Sequence, residues 1–230
     1  MFLFLMGCLV SGDVSDDGVH LRLQNDNQIV CHSVGNKSQK SSVKIAMTVG
    51  TEVIGHGSGN YFKLGKHKFV LTAAHVATSE YDLNMLDGEE MVGATIVFVD
   101  IERDIAILVP NKELKNIIPH RWRIGNGGDM VGEMVNYAGY PSGLDKVLIR
   151  GMVSAHNEDG FVMQSFALPG SSGSAVFDSH GRVLGVVSAV MLHQSQFSPF
   201  PNLQENMVYV SGTDYMDAKF IKEVLKCGSE

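Results

Sequence analysis

Glycine punctuation constrains this chain most. The 230 residues carry 25 Gly and only 6 Pro, and the glycines cut the sequence into short apolar runs. Such runs, bounded by glycine and polar turns, read as strands joined by tight turns. They fall at Val43–Val49, Glu52–Ile54, Lys68–Thr72, Ala94–Val99 and Ile105–Val109. A polar stretch with Pro110, Pro119 and the only tryptophan, Trp122, follows and could connect two lobes. A second set comprises Met134–Tyr137, Val147–Ala155, Gly160–Gln164, Ala175–Asp178, Val183–Val190 and Met207–Ser211. This spacing predicts an all-β sandwich or barrel and not βαβ units. One helix is expected near the end. Thr213-Asp214 can cap it, and Met216, Phe220, Ile221, Val224 and Leu225 form one apolar stripe.

The chain is 44% hydrophobic and 19% charged, enough apolar matter for a full core. Its length suits one two-lobed domain or two small ones. A formal charge of −7 argues against nucleic acid as the main partner, because phosphate backbones call for a basic face. No Lys/Arg run marks a membrane-surface patch. Cys8, Cys31 and Cys227 include no C-x-x-C pair, so neither a zinc site nor a redox motif is expected. Cys31 and Cys227 are free to pair if Cys8 is used otherwise. Residues 9–40 read as polar and loop-like. The apolar start resembles the end of a bacterial lipoprotein signal, with Leu5 to Cys8 in place of the Leu-x-Gly-Cys box. Cys8 is therefore a candidate lipidation site, which would attach the chain to a membrane through its N-terminus and place it outside the cytoplasm. A cytoplasmic location is the alternative, since the charged leader is missing and Met6 occupies a small-residue position.

Three segments carry side chains suited to nucleophilic catalysis. Val70–Val76 (V-L-T-A-A-H-V) ends an apolar strand and mounts His75 between small residues and the cleft expected beyond it. Ile101–Leu108 (I-E-R-D-I-A-I-L) puts Asp104 at the entry of a fully apolar strand. Pro169–Val176 (P-G-S-S-G-S-A-V) surrounds Ser172 with residues small enough for a tight turn to expose its hydroxyl. A nucleophilic serine needs a base, and the base needs a carboxylate to fix its tautomer. Ser171 and Ser174 remain rival nucleophiles, and Asp100 and Glu102 rival acids. Backbone amides of Gly170 and Ser172 are the candidate oxyanion donors.

These motifs together resemble the trypsin-like serine peptidases of the chymotrypsin fold. The likeness covers about residues 42–212 and is strongest to the bacterial HtrA-type and glutamyl-endopeptidase-type members. G-H-G-S-G-N-Y-F at 55–62 resembles the strand before the family's histidine, and D-I-A-I-L at 104–108 its aspartate strand. G-Y-P-S-G at 139–143 and R-G-M-V-S-A at 150–155 are similar to a turn and strand of its second barrel. G-S-S-G-S-A-V-F-D at 170–178 and G-R-V-L-G-V-V-S-A-V at 181–190 resemble its nucleophile loop and the strand behind it.

The resemblance implies two six-stranded antiparallel β-barrels and a C-terminal helix. The first barrel would occupy 41–120 with His75 and Asp104, the second 121–212 with Ser172, and the helix 213–230, after a signal-like segment at 1–40. It implies a serine endopeptidase acting on peptide or protein substrates, with no cofactor and no metal. The primary pocket would be lined by Phe166, Ala167, Leu168, Pro169, Ser188, Ala189 and Val190. No acid lies among them, so a small or medium apolar residue before the cut is favoured over Lys or Arg. Val187 stands where glutamyl-specific members place a histidine. Ser171 replaces the aspartate of zymogen-type members, so no N-terminal activation switch is expected. No peptide-binding module of the PDZ type is expected after the helix. The alternative is a peptidase-fold protein that binds a partner without cutting it.

Overall fold

A computed structural model describes residues 35–125, 130–193 and 202–227. Of the thirteen strands among the described residues, twelve build two closed barrels. The first contains β1 (Ser42–Val49), β2 (Glu52–Leu64), β3 (His67–Thr72), β4 (Asp82–Asp87), β5 (Glu90–Asp100) and β6 (Ile105–Pro110). They run in the order β1-β4-β5-β6-β3-β2, and pairing of β1 with β2 closes the ring. A short β7 (His120–Arg121) adds to β2 in parallel. The second barrel contains β8 (Met134–Gly139), β9 (Val147–Asn157), β10 (Gly160–Gln164), β11 (Ala175–Phe177), β12 (Val183–His193) and β13 (Asn202–Gly212), ordered β10-β13-β12-β11-β8-β9. This is the expected pair of six-stranded antiparallel barrels.

Among the described residues two α-helices are seen, α1 over residues 35–41 and α2 (Ala218–Cys227). α1 falls in a stretch whose composition reads as loop. Its helical form follows from docking: the Asn60 side-chain amide donates to Ser38 O and Ser41 Oγ, and the Ile118 amide donates to Lys40 O. The cap of α2 is Asp217, whose carboxylate accepts from the Phe220 amide at 2.7 Å, and not Thr213-Asp214. Thr213 instead closes a preceding turn through its carbonyl and the Met216 amide. The stripe holds, with Met216, Ile221 and Leu225 buried.

The core is continuous across the seam between barrels. Phe62 of β2 and Phe69 of β3 stack at 5.7 Å, and Trp122 stands edge-on to both. Phe177 of β11 in the second barrel reaches the same cluster, 6.1 Å from Phe62. The Trp122 indole N–H donates to Met216 O just before α2. α2 then returns to the first barrel, where Phe220 meets Phe98 of β5. One aromatic cluster thus fixes the two barrels and the helix relative to each other.

Phe62→Ala should destabilise the fold by about 3–5 kcal/mol, the usual cost of an aromatic-sized core cavity. A thermal melt followed by the single tryptophan, Trp122, should show a midpoint lower by roughly 10 °C. An unchanged midpoint would mean that the cluster does not join the barrels energetically.

Candidate active site

The site lies on the seam, and each barrel contributes backbone as well as side chains. β3 ends at Thr72, and a turn through Ala73 and Ala74 presents His75 with its side chain half exposed. The Asp104 carboxylate accepts from the His75 backbone amide at 2.9 Å and from His75 Nδ1 at 2.8 and 3.0 Å. A carboxylate bound to Nδ1 makes that nitrogen the protonated one and leaves Nε2 as the basic site. Asp104 stands at the end of the turn that starts at Ile101, with φ of 53°. This left-handed conformation is one that aspartate tolerates better than most residues. The rival acids are placed elsewhere. The Asp100 carboxylate accepts from the Arg103 amide and the Tyr215 hydroxyl, and Glu102 makes no bond to His75 among the described residues.

Ser188 supplies a contact that the sequence does not reveal. Its hydroxyl donates to Asp104 Oδ2, the same oxygen that lies nearest His75 Nδ1. The register of β12 on β13 shifts between Val187 and Ala189, which makes Ser188 the extra residue of a bulge. A bulge re-aims a side chain, here out of the strand's alternation and across the seam to the first barrel. Burial works against a charged Asp104 and raises its pKa. Hydrogen bonds from the His75 side chain, the Ser188 hydroxyl and the His75 amide outweigh burial, so the net pKa is lowered.

The loop over residues 169–174 separates the three serines. Ser171 and Ser174 are buried, whereas Ser172 is partly exposed. The Ser172 hydroxyl donates to Ser188 O at 3.3 Å, and no hydrogen bond joins it to His75 among the described residues. Ser188 therefore holds Ser172 through its backbone carbonyl and Asp104 through its hydroxyl, and Asp104 in turn holds His75. In the loop, the amides of Ser171, Gly173 and Ser174 donate to Leu168 O, Val187 O and Ser171 O. The amides of Gly170 and Ser172 have no acceptor among the described residues. Gly173 has φ of 91°, and a Cβ there would lie 2.0 Å from Ser58 O and 2.2 Å from Thr72 Oγ1, so only glycine fits.

Ser58 of β2 ties this loop to the first barrel. Its amide donates to Ser172 O at 2.8 Å, and its hydroxyl donates to Gly170 O at 2.6 Å while accepting from the Tyr140 amide. The Thr72 hydroxyl donates in turn to Ser58 O. Asn60, two residues on, accepts from the Ala175 amide at the loop's far end. The Gly-Ser-Gly triplet at 57–59 is the sequence signal for this clasp. A Cβ on Gly59 would meet Leu71 O at 3.0 Å and side chains closer still.

Of the expected pocket wall, Phe166 and Pro169 are exposed and Ala167 is buried. Tyr137 donates its hydroxyl to Phe166 O, and burial pushes that phenol up to about 12, so it stays a donor through neutral pH. The Ser142 amide donates to Pro169 O. Ala189 and Val190 sit on β12 opposite Tyr209 and Val208, but their side chains lie outside the described residues, as do Cys8 and Cys31 and the Cys227 side chain. Beside His75 opens a cavity of about 770 Å³, walled by Ala77, Ile96, Val99 and Ile101. Among the described residues no group of three His, Cys, Asp or Glu side chains could hold a metal ion.

Two outcomes follow from this geometry. Ser58→Ala leaves the Tyr140 amide without its acceptor, a buried loss of about 1–3 kcal/mol. Urea unfolding should report that loss, and any catalytic turnover should fall through kcat more than KM. Asp104, with its folded pKa below the unfolded value of about 3.9, contributes stability that is complete above that value and is lost as pH falls through the folded pKa. Urea midpoints measured from pH 6 to pH 3 should fall more steeply for the parent chain than for Asp104→Asn. Parallel profiles would remove Asp104 as the source.

A sequence model described as the trypsin-like peptidase domain matches residues 57–186. The chain is 29% identical over 162 residues to Protease Do-like 1, chloroplastic, of Arabidopsis thaliana, covering 63% of this chain and 36% of that protein. It is 29% identical over 143 residues to a probable periplasmic serine endoprotease DegP-like of Halomonas elongata, covering 57% of this chain and 29% of that one. The chain thus spans about a third of the length of these curated relatives. The crystal structure of the serine endoprotease from Yersinia pestis shares the fold, with a TM-score of 0.64 at 19% identity over 86% of this chain and 67% of that one. The matched span contains the Gly-Ser-Gly strand, His75, Asp104 and the whole nucleophile loop, and the chain belongs to the trypsin-like peptidase family.

Proposed function

We propose that this chain is a serine endopeptidase that cuts peptide or protein substrates through an acyl-enzyme. The observation that carries the reading is the Asp104–His75 pair of the first barrel together with a partly exposed Ser172 in the second, whose loop leaves the Gly170 and Ser172 amides without an acceptor among the described residues. Ser172 Oγ attacks the scissile carbonyl, and its proton passes to His75 Nε2. Asp104 holds the ring and stabilises the imidazolium that forms. The carbonyl oxygen gains negative charge and takes the two unused amides, Gly170 and Ser172. Each such donor is typically worth ~2.7–4 kcal/mol in the transition state. His75 then returns the proton to the leaving amine, and water attacks the Ser172 ester by the same route. β12 from Ser188 onward offers its edge to an extended substrate.

Specificity follows from the pocket wall. Phe166 to Pro169 and Ser188 to Val190 contain no carboxylate, so a small or medium apolar side chain before the cut is favoured. The apolar cavity beside His75 accepts a neighbouring apolar side chain of the substrate. Among the described residues no helix is long and apolar enough to cross a membrane. The names of these relatives place them in the periplasm and the chloroplast, and an extracytoplasmic setting for this chain belongs to the same reading.

A second reading rests on one bond. The Ser172 hydroxyl is engaged with Ser188 O and not with His75, as suits a binding module or an enzyme ordered by its substrate. A fluorophosphonate probe separates the two. The enzyme reading expects labelling of Ser172, loss of label in Ser172→Ala, and a drop in kcat on the order of 10⁴-fold for Asp104→Asn. A parent chain that takes no label, with or without a peptide ligand, favours the binding module.

A further inference from the structure

A second concavity lies away from the peptidase site and shares no residue with it. It has a volume of about 340 Å³ and opens between α1, the segment 118–123 and the turn joining β11 to β12. Five cationic side chains line it: Lys37, Lys40, Lys63, Arg121 and Arg123. All five are exposed, no carboxylate lines the cavity, and none of the five has an ion-pair partner among the described residues. This happens on a chain whose formal charge is −7. The surface therefore concentrates positive charge against the overall balance.

The backbone forces these charges together. Lys37 and Lys40 lie three apart on α1, hence on one face. The Ile118 amide bonded to Lys40 O brings that face against segment 118–123. Lys63 and Arg121 are direct partners in the parallel pairing of β2 with β7. Like charges opposite each other on neighbouring strands repel, so this pairing costs stability unless an anion sits over it. Arg123 is fixed through its carbonyl, which accepts from the Val183 amide of the second barrel at 2.7 Å. The wall also includes Ile118 and Pro119, so the cavity offers an apolar surface beside the cations.

His120 reports the field at the centre. Its Nε2–H donates to Gly181 O at 2.8 Å. Burial lowers its pKa most, and Lys37 and Arg123 lower it further against the opposing Gly181 bond. Charges from the helix and from the segment after β7 thus converge on one ring.

We propose that this cavity binds a phosphate group, carried by a small organic phosphate or by a lipid headgroup. Guanidinium forks match phosphate oxygens in pairs, and ammonium groups add point charge from the other side. The volume admits one phosphate and a small substituent that rests on Ile118 and Pro119. A ligand that binds only the folded chain raises its melting temperature.

Thermal unfolding with inorganic pyrophosphate, read against sodium chloride at matched ionic strength, tests this. A saturable rise in midpoint is expected with pyrophosphate. Arg121→Gln and Arg123→Gln should each weaken the apparent affinity by roughly tenfold, while Lys222→Gln, on the exposed face of α2, should not. Proton NMR of His120 should show its titration midpoint rising when pyrophosphate binds. Co-sedimentation with vesicles containing phosphatidic acid assigns the source. Retention that pyrophosphate displaces points to a lipid headgroup, and pyrophosphate binding without retention points to a soluble phosphate. A midpoint that merely follows ionic strength, or an affinity unchanged in both arginine variants, overturns the proposal.

Discussion

The Ser58 hydroxyl crosses the seam to two partners in the second barrel, and the geometry of the loop around Ser172 depends on it. It belongs to β2 of the first barrel, yet its partners are Gly170 and Tyr140 of the second. Its own amide holds Ser172 O, and its carbonyl is held by Thr72, three residues before His75. One residue therefore touches both the loop that carries Ser172 and the end of the strand that leads to His75. The glycines around it are a packing requirement. The Cβ of any other residue at 173 would strike Ser58 O. Glycine gives the loop close approach here, and the hydrogen bonds remove the freedom that glycine would otherwise leave.

The loop shows a division of labour among its amides. Ser171, Gly173 and Ser174 direct theirs to internal acceptors, whereas Gly170 and Ser172 have none among the described residues. Unused donors normally face water or a ligand, because an unpaired buried N–H is costly. The Gly170 and Ser172 amides share their peptide planes with the Pro169 and Ser171 carbonyls, which accept from the Ser142 and Ser174 amides, so both planes are held without using those two N–H groups. The shell stays rigid while the two donors remain available.

The strands of greatest β-propensity were legible in the sequence, and the glycine-rich and polar ones were not. Gly160–Gln164 agrees to the residue. β2 reads as Glu52–Ile54 from its β-type residues but runs to Leu64, because Gly55, Gly57 and Gly59 are chosen for close packing and carry no strand signal of their own. β4 was missed altogether. Its inward residues are Leu83, Met85 and Asp87, and the buried Asp87 finds its partners in the distant amides of Lys115 and Asn116. In the site, His75, Asp104 and Ser172 stood out because each sits in a short motif. Ser188 was legible only as part of a strand that pairs with substrate. Its bond to Asp104 depends on a bulge between Val187 and Ala189, and nothing local announces that bulge.

The same bulge explains how a carboxylate stays charged at the edge of a core. Asp104 leads into Ile105–Leu108, four fully buried residues, so its environment opposes ionisation. The His75 ring and amide both come from the first barrel, as Asp104 does, and those bonds alone could form within one lobe. The Ser188 hydroxyl comes from the second barrel and bonds the oxygen nearest Nδ1. Docking of the two lobes thus adds a donor to Asp104 at the same time as it brings in the loop of Ser172. A chain whose barrels are apart loses both together, so the electrostatics of the site become conditional on the seam that the aromatic cluster around Phe62 and Trp122 holds shut.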